Sequence, residues 1–153
     1  MPENILSPVR GTVVPLGDVP DPVFAQEIVG GGLALQPSRL AGLVTAGAPV
    51  SGTIVQIQPH AFVIQSTEGT GVLVHLGIDT VRLNGEGFEV LVTKGSTVQA
   101  GDPVVRFDQE VIAAHGYSDV CLVIVLQSPP GSVPAPTDTR TIDAAEMLFS
   151  WPS

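Results

Sequence analysis

Basic residues are scarce in this chain of 153 residues, which has one lysine, Lys94, and five arginines against 15 acidic residues. The formal net charge is therefore −9 at pH 7. Nucleic-acid binding depends largely on Lys and Arg contacts to phosphates, so this deficit argues against a nucleic-acid partner. An acidic protein instead attracts a basic partner surface and is repelled by anionic lipid headgroups.

Cysteine and long apolar runs are scarce as well. The one cysteine, Cys121, allows no internal disulfide, and its position in the apolar run 120–126 predicts a small buried hydrophobe. No apolar run approaches the roughly 20 residues that span a bilayer, and the first four residues lack the basic start of a signal peptide. We therefore expect a cytoplasmic protein with a single domain over residues 1–153.

Glycine and proline are abundant, with 17 and 14 residues, and they separate short runs rich in Val, Ile, Leu and Thr. This pattern is typical of brief strands joined by tight turns and predicts an all-β protein. One short helix is expected over 109–115, with Asp108 as its N-cap and Gly116 ending it. The predicted strands are 11–16, 28–35, 42–45, 52–57, 61–65, 71–76, 89–92, 103–107, 120–127 and 147–151.

Two internal repeats indicate the architecture. Residues 7–14 recur as 48–55 at an offset of 41, and residues 98–107 recur more faintly as 142–151 at an offset of 44. Two copies are too few for a solenoid, which needs about three or more. The repeats therefore predict an antiparallel β-sandwich of short strands with internal pseudo-two-fold symmetry.

Two of the three histidines flank a predicted β-hairpin. His60 precedes the strand 61–65 and His75 follows four strand residues beyond the turn 66–70. If the turn is centred on residues 67–68 the two imidazoles lie directly opposite each other, and if it is centred on 68–69 they lie diagonally. In both registers the rings share one face of the hairpin, so we expect them to be neighbours.

A pair of neighbouring imidazoles is compatible with three roles: metal binding, transient covalent attachment of a group to nitrogen, or simple packing. A catalytic zinc usually needs a third protein ligand, but Glu68 lies at the far end of the hairpin and only Asp79 follows closely. Motifs for nucleotide phosphates are absent from the sequence, and His115 is expected to be a solvated residue at the helix end. The spacing alone leaves the three roles open.

The residues around His75 resemble a known family. Residues 74–81 (VHLGIDTV), followed by 83–88 (LNGEGF), closely resemble the phosphorylation-site signature of the glucose-type enzyme IIA component of the bacterial phosphoenolpyruvate-dependent sugar phosphotransferase system. The similarity extends over most of residues 7–126. The segment 57–59 before His60 is about two residues shorter than in enteric members and has no threonine there.

The resemblance implies an antiparallel β-sandwich with a shallow, apolar-rimmed active face. It implies that His75 takes a phosphoryl group from a histidine-containing phosphocarrier protein and passes it to the IIB domain of a sugar permease, while His60 helps to hold that group. The resemblance thus implies a phosphotransferase component with a phosphohistidine intermediate and no cofactor. By the same matching, the partner-binding surface comprises Asp21, Val23, Phe24, Ile28, Phe62, Leu73, Asp79 and Val81, with the two aspartates meeting basic side chains of the donor.

The chemistry of the residues agrees with this implication. Phosphoryl transfer needs mainly positioning and charge stabilisation, which a nucleophilic imidazole and a second, hydrogen-bonding imidazole supply. The nucleophile must keep a proton on its other nitrogen, and a backbone carbonyl near Gly77 is the expected acceptor.

Three other possibilities follow from the sequence. The chain could be a diverged regulatory protein that docks permeases or metabolic enzymes through the same face without obligatory phosphotransfer. In some family members the matching histidines also complete a zinc site with a partner's carboxylate, although no metal is expected on the free chain. A biotinyl or lipoyl carrier is disfavoured because Lys94 lacks the flanking residues of such domains.

Overall fold

The computed structural model describes residues 2–38, 42–136 and 140–152 and consists mainly of antiparallel strands, which confirms the predicted fold class. Its short helices are α1 (Pro22–Ala25) and α2 (Gln109–Ala114), and single 3₁₀ turns cover Leu16–Asp18 and Thr80–Leu83. The strands are β1 (Pro2–Leu6), β2 (Gly11–Pro15), β3 (Gly30–Pro37), β4 (Leu43–Gly47), β5 (Gly52–Gln58), β6 (Ala61–Ser66), β7 (Gly71–Leu76), β8 (Phe88–Val90), β9 (Thr97–Val98), β10 (Pro103–Asp108), β11 (Cys121–Leu126), β12 (Thr141–Ile142) and β13 (Met147–Pro152).

An eight-stranded sheet, in the order β12-β2-β3-β11-β7-β6-β5-β9, forms one layer of the molecule. The sheets β4-β10-β8 and β1-β13 contribute to the other, and one buried apolar cluster joins side chains from all three sheets. In β7 the side chains of Val72, Val74 and Leu76 are buried in that cluster. Because side chains alternate along a strand, Leu73 and His75 lie on the outer face of the large sheet.

The predicted internal symmetry is present in the backbone hydrogen bonds. Leu6 N donates to Pro49 O and Gly47 N donates to Pro8 O, both at 2.9 Å. Because Gly47 and Pro49 lie 41 residues after Leu6 and Pro8, each bond is the symmetry equivalent of the other. The short outer strands follow the same rule, because β12 pairs with β2 as β9 pairs with β5. The chain is therefore built from two similar halves around a pseudo-two-fold axis.

A pair of left-handed residues marks the same turn in each half. Gly101 has φ +93° and Ala145, 44 residues later, has φ +68°. Gly101 N donates to Ala48 O and Ala145 N donates to Ser7 O, each at 2.8 Å. A Cβ atom on Gly101 would lie 3.7 Å from the Cβ of Ala145, so the two turns face each other.

The halves differ in the connection between their first two sheet strands. Residues 16–29 join β2 to β3, whereas Pro59 and His60 alone join β5 to β6, since Gln58 pairs with Ala61. The long connection folds over the outer face of the large sheet. Leu16 and Val19 of this connection pack on the sheet side chains and complete a second, smaller buried cluster, whose other members are Ala34, Ile78, Val120, Leu122 and Ile124.

The helices both confirm and correct the prediction. The α2 helix forms where expected, with Asp108 Oδ1 accepting a hydrogen bond from Glu110 N at 2.9 Å. The expectation of a single helix is wrong, because α1 also forms. Pro22 occupies its first turn and Asp21 Oδ1 accepts from Val23 N at 3.0 Å, so this helix carries both ordinary start signals.

Cys121 is fully buried, as predicted, and burial raises the pKa of its thiol. Neither helix in the described part of the chain has the length and hydrophobicity of a segment that crosses a bilayer.

Candidate functional site

The imidazoles of His60 and His75 are neighbours, which confirms their predicted proximity. Their ring centroids lie 5.3 Å apart with an interplanar angle of 74°. Both side chains are partly buried on the outer face of the large sheet. The arrangement places two nitrogen-bearing rings within reach of one small group.

The route by which the rings meet differs from the prediction. His75 pairs with Ala61, so neither of the two expected registers is correct. A strand continued through residue 60 would direct that side chain to the opposite face of the sheet. His60 instead lies in the two-residue turn before β6, and its carbonyl accepts a hydrogen bond from Leu76 N at 2.7 Å. The turn therefore brings His60 to the face of His75.

A backbone carbonyl fixes the tautomer of His75. Nδ1 lies 2.6 Å from Gly77 O, and because a carbonyl oxygen only accepts, Nδ1 must carry the hydrogen. In the neutral ring Nε2 then holds the free lone pair. The expected acceptor near Gly77 is thus confirmed.

The turn after β7 holds that carbonyl in place. Gly77 and Asp79 both adopt left-handed conformations, with φ of +83° and +62°. Gly77 N donates to Val120 O at 2.9 Å, and Thr80 Oγ1 donates to Leu76 O at 2.7 Å. These bonds leave the turn little freedom to move relative to β11.

The electrostatics of the site favour neutral imidazoles. Burial lowers the pKa of His75, with the nearby His60 acting in the same direction, while the Gly77 carbonyl and the carboxylates of Asp21 and Asp79 oppose that shift. Burial also lowers the pKa of His60. Both rings are therefore uncharged near neutral pH, and the Nε2 lone pair of His75 is free.

Large apolar side chains are exposed on the two chain segments that approach His75, which are α1 with the residues after it and the turn after β7. Val23, Ile28 and Val81 are 46%, 67% and 56% exposed, values that are high for large aliphatic residues. The Phe24 ring lies 5.0 Å from the His75 ring at an interplanar angle of 54°. Leu73 shares the outer face of β7 with His75 and is partly buried. Phe24 thus contacts the His75 ring, and the partner-binding role of these residues stays a prediction.

Phe62 was also expected on the partner-binding surface, and this expectation is wrong. Its side chain is only 1% exposed and belongs to the main apolar cluster. The observed register pairs Phe62 with the buried Val74, whereas its neighbour Ala61 pairs with His75. Strand alternation therefore directs the Phe62 ring into the core.

The site is a shallow face rather than an enclosed pocket. A cavity of about 170 Å³ beside the histidines is lined by Gln56, Gln58, Ala61, Phe62, Val63 and Leu73. Pockets that enclose small-molecule ligands usually measure about 300–1,000 Å³. Within residues 2–38, 42–136 and 140–152 no group of three or more His, Cys, Asp or Glu side chains could hold a metal ion. The geometry thus favours a macromolecular partner over a bound sugar.

A sandwich with two imidazoles on one apolar-rimmed face is the architecture of a sugar phosphotransferase component. A family model described as "phosphoenolpyruvate-dependent sugar phosphotransferase system, EIIA 1" matches residues 3–130. The chain therefore belongs to this EIIA family, as its resemblance to the glucose type implied.

Similar proteins bear the names of sugar-specific components. The chain is 46% identical over 124 residues to the glucosamine-specific EIICBA component of Bacillus subtilis (strain 168), a match that covers 80% of this chain and 19% of that protein. It is 40% identical over 125 residues to the glucose-specific EIIA component of Bacillus cereus, covering 80% of this chain and 73% of that protein. The chain thus spans about a fifth of the first relative and nearly three quarters of the second.

A solved structure confirms the fold. The glucose permease IIA from Mycoplasma capricolum superposes with a TM-score of 0.85 at 32% sequence identity. The match covers 98% of this chain and 96% of that structure. The antiparallel β-sandwich is therefore shared over nearly the whole length.

Proposed function

We propose that this protein is a phosphocarrier of the cytoplasm. His75 accepts a phosphoryl group on Nε2 from a histidine-containing phosphocarrier protein and passes it to the IIB domain of a sugar permease during sugar uptake. The observation that carries the proposal is the hydrogen bond from His75 Nδ1 to Gly77 O at 2.6 Å, because it leaves the Nε2 lone pair free.

The transfer is a simple exchange of nitrogen–phosphorus bonds. The Nε2 lone pair of His75 forms the new bond to phosphorus, and the donor nitrogen leaves with the electron pair of the bond that breaks. The Nδ1 proton stays in place, and the Gly77 carbonyl stabilises the positive charge that develops on the ring. The lowered pKa of His75 keeps the ring unprotonated, and thus nucleophilic, before the transfer.

His60 supports the phosphoryl group from the side. A neutral imidazole has one N–H, which is sufficient to donate a hydrogen bond to a phosphoryl oxygen. The 5.3 Å between the two ring centroids leaves room for such a bond to a group attached to His75. Catalysis therefore comes from positioning and charge stabilisation, which dominate phosphoryl transfer.

The surface around the histidines fits a protein donor. The exposed side chains of Val23, Ile28 and Val81 exclude water when a partner docks, and water would otherwise hydrolyse the phosphohistidine. The net charge of −9, together with Asp21 and Asp79 beside the site, steers a basic donor surface. High salt should therefore slow acceptance.

The test is phosphorylation of the purified chain by phosphoenolpyruvate and the two general phosphotransferase proteins. We expect acid-labile phosphate on the wild type, none on His75→Gln, and slower transfer through His60→Gln. His115→Gln removes an imidazole outside the site and is the matched control. The proposal fails if the wild type gains no phosphate or if His75→Gln still gains it.

Docking is tested separately. Val81→Asp places a charge on the apolar rim, so we expect slower acceptance of phosphate with the free energy of unfolding changed by no more than about 0.5 kcal/mol, as for most surface substitutions. A chain that binds a permease but never gains phosphate would instead be a regulatory protein that uses the same apolar rim.

A further inference from the structure

A buried carboxylate lies directly behind the candidate site. Asp119 is only 3% exposed. Its Oδ1 accepts a hydrogen bond from Gln36 Nε2 at 2.7 Å, and its Oδ2 accepts from Gln109 Nε2 at 2.9 Å. Asp119 thus connects the end of β3 to the first residue of α2.

The backbone on either side of Asp119 holds the turn that contacts His75. Ser118 O accepts from Ile78 N at 3.0 Å, and Val120 O accepts from Gly77 N at 2.9 Å. Gly77 O in turn accepts from His75 Nδ1 at 2.6 Å. Two backbone hydrogen bonds on either side of Asp119 and the bond from Gly77 O to His75 therefore connect the Asp119 segment with the ring of His75.

The fit of the turn against this segment is close. A Cβ atom on Gly77 would lie 2.9 Å from Ser118 O and 2.5 Å from Thr80 Cγ2. The hydrogen bonds from Gly77 and Ile78 to this segment are already 2.9 and 3.0 Å long, so residues 118–120 have little room to shift toward the turn, and a shift away lengthens both bonds. Either movement reorients the Gly77 carbonyl, whose position decides which nitrogen of His75 holds the hydrogen.

We propose that Asp119 is a positioning residue for His75. By anchoring residues 118–120 through Gln36 and Gln109, Asp119 holds the Gly77 carbonyl where it keeps the proton on Nδ1 and leaves Nε2 free. The inference deepens the proposed function, since it rests on Nε2 of His75 as the nucleophile. Asp119 acts through the backbone and does not contact the phosphoryl group.

The test combines a tautomer measurement with a rate. Imidazole ¹⁵N–¹H correlation spectra above neutral pH should show His75 of the wild type as the Nδ1–H tautomer. In Asp119→Asn, which keeps the shape but loses one acceptor, we expect a measurable fraction of the Nε2–H tautomer. Acceptance of phosphate should fall about tenfold, as for other substitutions that displace a reacting group without touching it.

Two further variants and a control keep the test decisive. Gln36→Leu and Gln109→Leu each remove one donor to Asp119 and should shift the tautomer in the same direction. Asp108→Asn removes a carboxylate from the N-cap of α2, where Asn caps equally well, and should leave the tautomer unchanged.

The inference is overturned if the folded Asp119, Gln36 and Gln109 variants all retain the Nδ1–H tautomer and the wild-type rate. It is also overturned if none of the three folds, because Asp119 then serves stability alone. A wild type that shows the Nδ1–H tautomer but accepts no phosphate would instead contradict the proposed function, so the two failures are distinguishable.

Discussion

Gly77→Ala tests whether the turn beside His75 is as tightly constrained as its geometry indicates. The substitution has two separate costs. Holding an L-residue at φ +83° costs about 1–2 kcal/mol. The new methyl group would also lie 2.5 Å from Thr80 Cγ2 and 2.9 Å from Ser118 O, and such overpacking costs about 1–3 kcal/mol. We therefore expect a loss of about 2–5 kcal/mol in the free energy of unfolding.

Gly69→Ala is the matched control. Gly69 has φ +91°, and a Cβ atom there meets nothing within 4 Å, so this variant has the conformational cost alone. The effect of alanine on the unfolded chain is the same in both variants and cancels. The difference between them, about 1–3 kcal/mol, therefore isolates the overpacking. Phosphate acceptance should be slower in Gly77→Ala and unchanged in Gly69→Ala.

Urea unfolding followed by the fluorescence of the one tryptophan gives the two free energies, and acceptance of phosphate gives the rates. Typical domains have about 5–15 kcal/mol of stability, so both variants should be folded in dilute buffer. Equal destabilisation by the two substitutions, or wild-type acceptance by Gly77→Ala, would refute the account of the turn.

Three further predictions concern pH, symmetry and the core. The pKa values of His60 and His75 are lowered in the folded protein, so as the pH falls through the ordinary value of 6.5 protons bind the unfolded chain first. The free energy of unfolding should therefore decline below that pH. In urea unfolding at pH values between about 5 and 8, a double His→Gln variant should show a smaller dependence of this free energy on pH. Ala145→Gly should raise the melting temperature slightly because it removes a left-handed alanine. Gly101→Ala should lower the melting temperature, because a left-handed alanine at the equivalent turn costs about 1–2 kcal/mol in the free energy of unfolding. Calorimetric shifts of the same sign for the two variants would contradict the equivalence of the two turns. Phe62→Ala should lower the free energy of unfolding, measured in urea, by about 3–5 kcal/mol. A loss near zero would contradict the burial of Phe62 in the core.

Ten of the strands and the duplication could be predicted from the sequence because both depend on local composition, whereas β1 (Pro2–Leu6) was not predicted. Runs of Val and Ile bounded by Gly indicate the strands, and the two repeated segments can be recognised directly in the sequence. The strands β9 and β12 have only two residues each, too few for any alternation to be recognised. The helix α1 is also short, yet Asp21 and Pro22 gave a usable start signal that the prediction did not include.

The hairpin register could not be predicted because it depends on the loop conformation. Both expected registers assumed a two-residue turn, but Ser66 N bonds to Thr70 O at 2.8 Å across the three residues 67–69. Gly69 adopts the left-handed conformation that such loops require, and Ser66 Oγ accepts from Thr70 N at 3.1 Å. A loop with one more residue moves the pairing by one position and thereby changes which residue lies opposite His75.

The site residues divide in the same way. His60 and His75 were identified from a local motif, and the carbonyl of Gly77 from the tautomer that a nucleophilic imidazole requires. Phe62 was misplaced because a resemblance near a motif does not indicate the face on which a strand residue lies, although alternation around it would have done so. Asp119 was missed because its partners, Gln36 and Gln109, are distant in sequence and carry no recognisable spacing.

The unequal connections of the two halves decide which of two equivalent sheet positions is open. Ile124 of β11 is the symmetry mate of His75: it pairs with Gly32 and Leu73 as His75 pairs with Ala61 and Leu122. Ile124 is fully covered by the connection 16–29, whereas the two-residue turn opposite leaves His75 partly open. A histidine at position 124 would have the same strand register and still be buried. Loop length, rather than the duplicated sheet, therefore makes one of the two equivalent positions accessible and covers the other.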